Sequence, residues 1–356
     1  MLKTLFPTLS RFRFLVQALM LFITVYGSVI VGHYAADKIT GALPALSCAY
    51  DQMNGSYCIL VPTQHQVHHR IGEAMVRAQE LTVQMILPLL MVFLTFFAFF
   101  FVIGKAFCGW VCPLGTLQEW IGKIGRRFNI GVRRFEKGDL GEVKRVRPIK
   151  WILLLGLVFL LPLLTGLGVT PHSLGNPYCD ICPSRVATTL LTGNTEELAL
   201  RLGDGWKFGL GAVANTLIGF MLVGGLALRL PFCRICPLLA FNSVFQRLSP
   251  MRLAKPTRAN CGSCHICTDA CPMDIPEISK EEGRKAYNED CTLCGRCVEY
   301  CPQDKVIELK WGPLALFSSS REYYKTKVKG ELPDGTVKPL KFVRNAAKPA
   351  AGAADA

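Results

Sequence analysis

Two eleven-residue stretches, Cys261 to Cys271 and Cys291 to Cys301, spell one register, Cys-x2-Cys-x2-Cys-x3-Cys, and each is followed by a proline, Pro272 or Pro302. A cubane [4Fe-4S] cluster needs four thiolates at tetrahedral corners, and one short loop supplies three, so the fourth comes from elsewhere. In tandem, with 19 residues between the copies, the register predicts crossed ligation. Cys261, Cys264 and Cys267 would hold one cluster with Cys301, and Cys291, Cys294 and Cys297 would hold a second with Cys271. Two [4Fe-4S] clusters so placed are close enough to exchange electrons. Paired Cys-x2-Cys also suits tetrahedral zinc, and Cys261-Gly-Ser-Cys264-His265 has the form of a c-type haem attachment. The doubled register, closed each time by Cys-Pro, argues for iron-sulfur chemistry over both.

Such centres need a scaffold, and the rest of the chain reads as an apolar one. A mean hydropathy of +0.31 combined with a net charge of +14 suits an integral membrane protein with basic segments on one side. Four stretches, 14 to 34, 81 to 104, 151 to 170 and 208 to 228, lack Asp, Glu, Lys and Arg. Each is near the ~20 residues that cross a hydrocarbon core of ~30 Å. The first, behind Lys3, Arg11 and Arg13, is too long for a cleaved signal and reads as an anchor.

Charge sets the orientation. The connection 105 to 150 carries eleven Lys and Arg against four Asp and Glu, whereas 35 to 80 and 171 to 207 each carry three against four. The positive-inside rule then predicts both chain ends and the central connection in the cytoplasm of a multi-pass protein of a bacterial-type inner membrane. No interleaving of basic and aromatic residues points to nucleic acid.

The expected architecture is therefore an α-helical membrane protein with four transmembrane helices in two hairpins and a cytoplasmic α+β two-cluster ferredoxin-like domain. Residues 1–80 hold the first helix and a periplasmic loop, and 81–250 the membrane bundle. Residues 251–310 form the ferredoxin-like domain, and 311–356 a basic, flexible tail.

Eight cysteines remain. The second and fourth apolar stretches each run into a cysteine pair, Cys108-x3-Cys112-Pro113 and Cys233-x2-Cys236-Pro237, and then into residues of helical period, Leu117, Trp120, Ile121 and Ile124 in one and Phe241, Val244, Phe245 and Leu248 in the other. This weak internal repeat predicts two related halves with interfacial helices after each Cys-Pro turn. If the hairpins pack together, Cys108, Cys112, Cys233 and Cys236 meet, where they can hold a further cluster or metal, form disulfides, or stay reduced beside a quinone. Cys48, Cys58, Cys179 and Cys182 fall in the outward loops, where an oxidising compartment favours disulfides, although Cys179-x2-Cys182-Pro183 also suits a reactive dithiol or two ligands of an external centre. His65, His68 and His69, with His33 and His172 on the same side, are able to bind a metal or accept a quinol proton, or simply belong to a solvated loop. Trp110, Trp120 and Trp151 suit a membrane interface, with or without a quinone.

Taken in order, the CGWVCPLGTLQEW stretch, the FCRICPL stretch and the downstream ferredoxin pair resemble the NapH/NosR-type membrane polyferredoxins over about residues 81 to 310. One departure is the second pair, which is Cys-x2-Cys-Pro where the family often has Cys-x3-Cys-Pro. The resemblance implies an electron-transfer component of a respiratory chain, a quinol dehydrogenase-type subunit that links the membrane quinone pool to a redox partner protein or subunit. The family also contains assembly proteins, so the alternative is a redox-sensing or metal-reducing factor for a respiratory enzyme.

Overall fold

The computed structural model describes residues 8–31, 60–77, 83–128, 142–193, 205–246, 248–256, 264–279 and 289–329, with isolated positions such as Cys261 between them. Cys48, Cys58, His33 and the tail beyond 329 lie outside the described residues. Helix α1 (Leu9–Val31) is followed by a bent helical segment made of α2 (Leu60–His65), a π-helical stretch (Gln66–Gly72) and α3 (Glu73–Arg77). Next come α4 (Val83–Ile103) and, after a π-helical turn at Phe107–Val111, α5 (Pro113–Arg127). A second long rod joins α6 (Val143–Leu153) to α7 (Leu161–Gly166) through a π-helical stretch at Leu154–Leu160. Two short helices, α8 (Pro177–Ile181) and α9 (Pro183–Leu191), precede the third rod, α10 (Gly205–Gly219) continued to α11 (Gly225–Ala227), and then α12 (Pro237–Gln246).

Among the described residues three helices are long and apolar enough to cross a membrane, at Leu9–Tyr26, Val143–Gly166 and Gly205–Ala227. They turn Leu15, Leu19, Ile152, Leu155, Phe208 and Val223 outward, an apolar belt that marks an interaction with lipid or protein rather than with water. The stretch expected at 81 to 104 is helical as α4.

Each Cys-Pro outside the ferredoxin loops opens a helix. Cys112 and Cys182 are the N-cap residues of α5 and α9, with proline in the first turn, and Pro237 begins α12; proline fits there because its missing N–H would have no intrahelical partner. Helices α5 and α12 carry the periodic apolar residues expected of interfacial helices, but their polar faces turn inward. Gln118 and Glu119 of α5 and Asn242, Ser243 and Gln246 of α12 are buried, while Ile124 and Val244 are about half exposed, at 50% and 55%. A protein whose surroundings are apolar gains by sorting its side chains in this direction.

Glycines set the closest helix crossings. A Cβ on Gly72 would lie 2.6 Å from Gly166 Cα, and one on Gly125 would lie 2.1 Å from the Leu226 carbonyl oxygen. The bent segment therefore seats on α7 as α5 seats on α11. Gly125→Ala is expected to force these backbones apart and cost about 1–3 kcal/mol, read as a lower midpoint of thermal unfolding in detergent.

The carboxy-terminal part is a three-stranded antiparallel sheet, β1 (Met251–Ala254), β2 (Glu308–Trp311) and β3 (Leu314–Ser318), in that order. Met251 pairs with Trp311, Ala254 with Glu308, and Glu308 with Ser318. The short helices α13 (Ile266–Ala270) and α14 (Arg296–Glu299) contain the third cysteine of each loop, Cys267 and Cys297. Residues just past 310, expected to begin a flexible tail, instead complete this sheet. Gly312, at φ +58°, makes the tight turn that returns the chain, and Phe317 is buried in the same core as the cysteine loops.

Candidate functional site

The cysteines of the two ferredoxin-like loops lie close to one another across the repeat. The Cys271 thiol lies in the field of Cys294 and Cys291, and that of Cys301 in the field of Cys267 and Cys264. Cys271, Cys291, Cys294 and Cys297 line one pocket whose remaining walls include Leu253, Met273, Ile275 and Ile278. Four thiols converging in an otherwise apolar pocket fit a [4Fe-4S] cluster, which needs soft ligands and limited water. The loops bend sharply to do this: His265 at φ 56° and Gly295 at φ 77° occupy equivalent left-handed positions just ahead of α13 and α14.

The first Cys-Pro loop is pressed against the second ferredoxin loop. A Cβ on Gly109 would lie 2.5 Å from the Thr292 carbonyl oxygen and 3.1 Å from Cys294 Cα, so only glycine permits this approach. Trp110 Nε1 donates to the Leu293 carbonyl at 3.1 Å. Lys105, fully buried, sits in the field of both Cys291 and Cys108, and burial lowers its ammonium to about 8 against their pull upward. A lysine there favours added negative charge on either side.

The four cysteines of the expected quartet lie in neighbouring parts of the same apolar cores. Cys236 lies in the field of Cys233, Cys112, Cys182 and Cys108, and all four quartet cysteines border the apolar cores between bundle and ferredoxin unit. Cys182 borders the same apolar core as Cys236, because α8 and α9 pack against the helices of the bundle. Cys179 and Cys182 are free thiols, as is every cysteine among the described residues. Burial pushes the Cys108 thiol up to about 11 and that of Cys233 to about 12, where Cys108 adds to the effect. Burial in apolar surroundings makes thiols poor nucleophiles, whereas a bound metal displaces their protons outright.

Two glutamines that the motifs did not single out hold these pairs in the same way. Gln118 Nε2 donates to Cys233 Sγ at 3.2 Å and to the Leu114 carbonyl, while its Oε1 accepts from Phe232 N. Gln64 Nε2 donates to Cys179 Sγ at 3.0 Å and to the Leu60 carbonyl, while its Oε1 accepts from Tyr178 N. Both Gln-to-Cys bonds span 115 residues of sequence. The pair Cys179 and Cys182 is thus a structural counterpart of Cys233 and Cys236, a repeat finer than the one legible in the apolar stretches.

Buried charges dock the unit. Asp290, wholly buried, accepts from Lys150 at 2.5 Å and from Arg147 at 2.7 Å. Glu119 joins Arg13 of α1, at 2.5 Å, to Arg296 of the second cysteine loop, and Gln17 donates both to Glu119 and to the Gly109 carbonyl. Burial alone would raise the Glu119 carboxyl, but Arg296, Arg13 and Lys123 hold it at about 2. Asp274 pairs with Arg234, from the second Cys-Pro loop, at 2.6 Å.

The histidines do not form a solvated loop. His65, His68 and His69 stand on the bent helical segment, and the His68 ring is 4.0 Å from His69 and 4.7 Å from His172 between centroids. Burial, then His69 and His172, push His68 down to about 4.

Comparison with known proteins agrees with this geometry. A 4Fe-4S binding domain model matches residues 85–131 and 212–256, and a 4Fe-4S dicluster domain model matches 260–307. The chain is 25% identical over 214 residues to the ferredoxin-type protein NapH of Escherichia coli, covering 58% of this chain and 63% of that protein. It is 27% identical to the putative electron transport protein YccM of Escherichia coli (56% and 49% covered) and 31% identical to the regulatory protein NosR of Pseudomonas aeruginosa (61% and 27% covered). The chain thus spans less than two thirds of each of these three relatives. No solved structure matches it. With both iron-sulfur domain types in the expected order and relatives of these kinds, the chain belongs to the NapH/NosR-type polyferredoxin family.

Proposed function

We propose that this protein is a membrane-embedded electron-transfer component that links the quinone pool to a redox partner, with iron-sulfur centres as the relay. The observation that carries it is the backbone contact at Gly109, which joins the Cys108 loop to Cys294 and so the bundle cysteines to the ferredoxin loops. Bound clusters supply one-electron chemistry with little movement of their ligands. In this reading Cys261, Cys264, Cys267 and Cys301 hold one, and Cys291, Cys294, Cys297 and Cys271 a second. Cys108, Cys112, Cys233 and Cys236 hold a third centre, kept in register by Gln118. Cys179 and Cys182, held likewise by Gln64, extend the row toward the far side of the bundle, where ~30 Å of hydrocarbon would otherwise separate the ferredoxin unit from an acceptor.

With α4 counted as a crossing, the helices make four spans in two hairpins, and the basic connection 105 to 150 puts the ferredoxin unit and both ends in the cytoplasm of an inner membrane. Trp110, Trp120 and Trp151 stand at the helix ends where a quinone would meet the relay.

Anaerobic purification with iron and sulfide counts, electron paramagnetic resonance and stopped-flow mixing with a quinol analogue tests this. About twelve iron atoms per chain are expected, falling to about eight when Cys108, Cys112, Cys233 and Cys236 are all replaced by serine. The same variant is expected to lose reduction by quinol while dithionite still reduces it. Colourless protein containing zinc in place of iron would sink the proposal.

A further inference from the structure

The geometry points to a second kind of metal centre, away from the cysteines, in which His68, His69, His172 and Glu73 bind one divalent first-row transition-metal ion such as zinc. Their ligand atoms all lie within 4.8 Å of one another. His69 Nδ1 is 2.8 Å, His68 Nε2 3.7 Å and His172 Nε2 4.0 Å from the same oxygen, Glu73 Oε1. Ligand atoms around a tetrahedral zinc are about 3.4 Å apart, given metal–ligand distances near 2.0–2.1 Å, so the four need only small adjustments to enclose an ion.

The backbone is shaped for this set. Between α2 and α3 the chain takes π-helical form at Gln66–Gly72, and the Glu73 N–H donates to the His68 carbonyl. This i to i+5 bond brings His68 and Glu73 onto one face, which an α-helix would not do, and single π-helical turns of this kind recur at functional sites. His172 arrives from the short 3-10 turn His172–Leu174 after α7. Two glycines let the partners close up: a Cβ on Gly166 would lie 2.3 Å from the His68 carbonyl oxygen, and one on Gly175 would lie 2.5 Å from His68 Nδ1.

An independent observation points to a ligand. His68 is 2% exposed, and its Nε2, the atom facing Glu73, is buried without a hydrogen-bond partner. At 3.7 Å the Glu73 oxygen is too far for a hydrogen bond. A buried polar atom left unpaired is costly, and a metal ion between imidazole and carboxylate satisfies both. Three nitrogens and one oxygen suit zinc or iron(II), in contrast to the all-sulfur sets elsewhere in the chain.

The test uses the full chain, purified anaerobically in detergent from cells supplied with zinc. Metal analysis after gel filtration is expected to give one zinc per chain beyond the iron. X-ray absorption at the zinc edge is expected to show nitrogen and oxygen neighbours near 2.0–2.1 Å and no sulfur near 2.3 Å. His172 is 77% exposed, so His172→Ala leaves the packing intact; it is expected to weaken zinc retention at least about tenfold, since even outer-shell partners are worth that much, with iron content unchanged. His68→Ala is expected to abolish retention, and if it also loses iron, Glu73→Gln decides in its place. Zinc absent from the wild type, zinc with sulfur neighbours, or zinc undiminished in both His172→Ala and Glu73→Gln overturns the assignment.

Discussion

Asp290→Ala is expected to destabilise the ferredoxin unit by about 3–5 kcal/mol, the cost of stranding buried charge when one partner of a buried pair is removed. The variant removes the carboxylate nearest the Lys150 ammonium, which has no solvent exposure, and leaves Lys150 and Arg147 to share Glu289, at 3.3 Å and 2.6 Å. Lys150 and Arg147 belong to α6 and Asp290 precedes the second cysteine loop, so the loss falls on the seam between rod and ferredoxin unit. The measurement is loss of cluster absorbance on heating under argon, with a much lower midpoint than wild type. A double variant, Asp290→Leu with Lys150→Met, replaces charge by apolar contact and is expected to recover much of the loss. An unchanged midpoint for Asp290→Ala would mean that the seam is held by other contacts, such as Trp311 Nε1 donating to the Val102 carbonyl at 3.0 Å.

The second large effect concerns rate. In Gly109→Val the added Cβ would begin 2.5 Å from the Thr292 carbonyl oxygen, and relief requires the two loops to part by about 1 Å, a misplacement that costs on the order of 10²-fold where geometry sets the rate. Electron equilibration between quinol and the ferredoxin unit is expected to slow accordingly, while direct reduction by dithionite and the iron count stay at wild-type values. Equal slowing of both reductions would point instead to damage in the ferredoxin loops themselves.

Much of this was legible in the sequence, and the reasons are local. The doubled cysteine register spells its own loops because three of its four ligands lie within seven residues. The apolar stretches gave helix positions to within a few residues, although α1 starts at Leu9 and the second rod at Val143, since amphipathic ends such as Arg13 and Lys150 extend the helices beyond the uncharged cores. What escaped is long-range. The bonds of Gln64 to Cys179 and Gln118 to Cys233 each join residues 115 apart, and neither glutamine stands out in its own neighbourhood. The buried polar faces of α5 and α12 were hidden for a different reason: an apolar stripe reads the same whether it faces a core or lipid. Glu119 sits on the face opposite that stripe, and its burial is explained by Arg13 and Arg296, which the helix pattern does not reveal. The histidines were visible as residues, but their gathering depends on a π-helical offset that periodicity does not signal.

Docking through Asp290, Glu119 and Asp274 has a kinetic corollary. A module clamped at three separate buried points does not swing out to meet its customer as tethered carriers do. Throughput should therefore be indifferent to solvent viscosity for the internal steps and sensitive to it only where a diffusing reactant arrives.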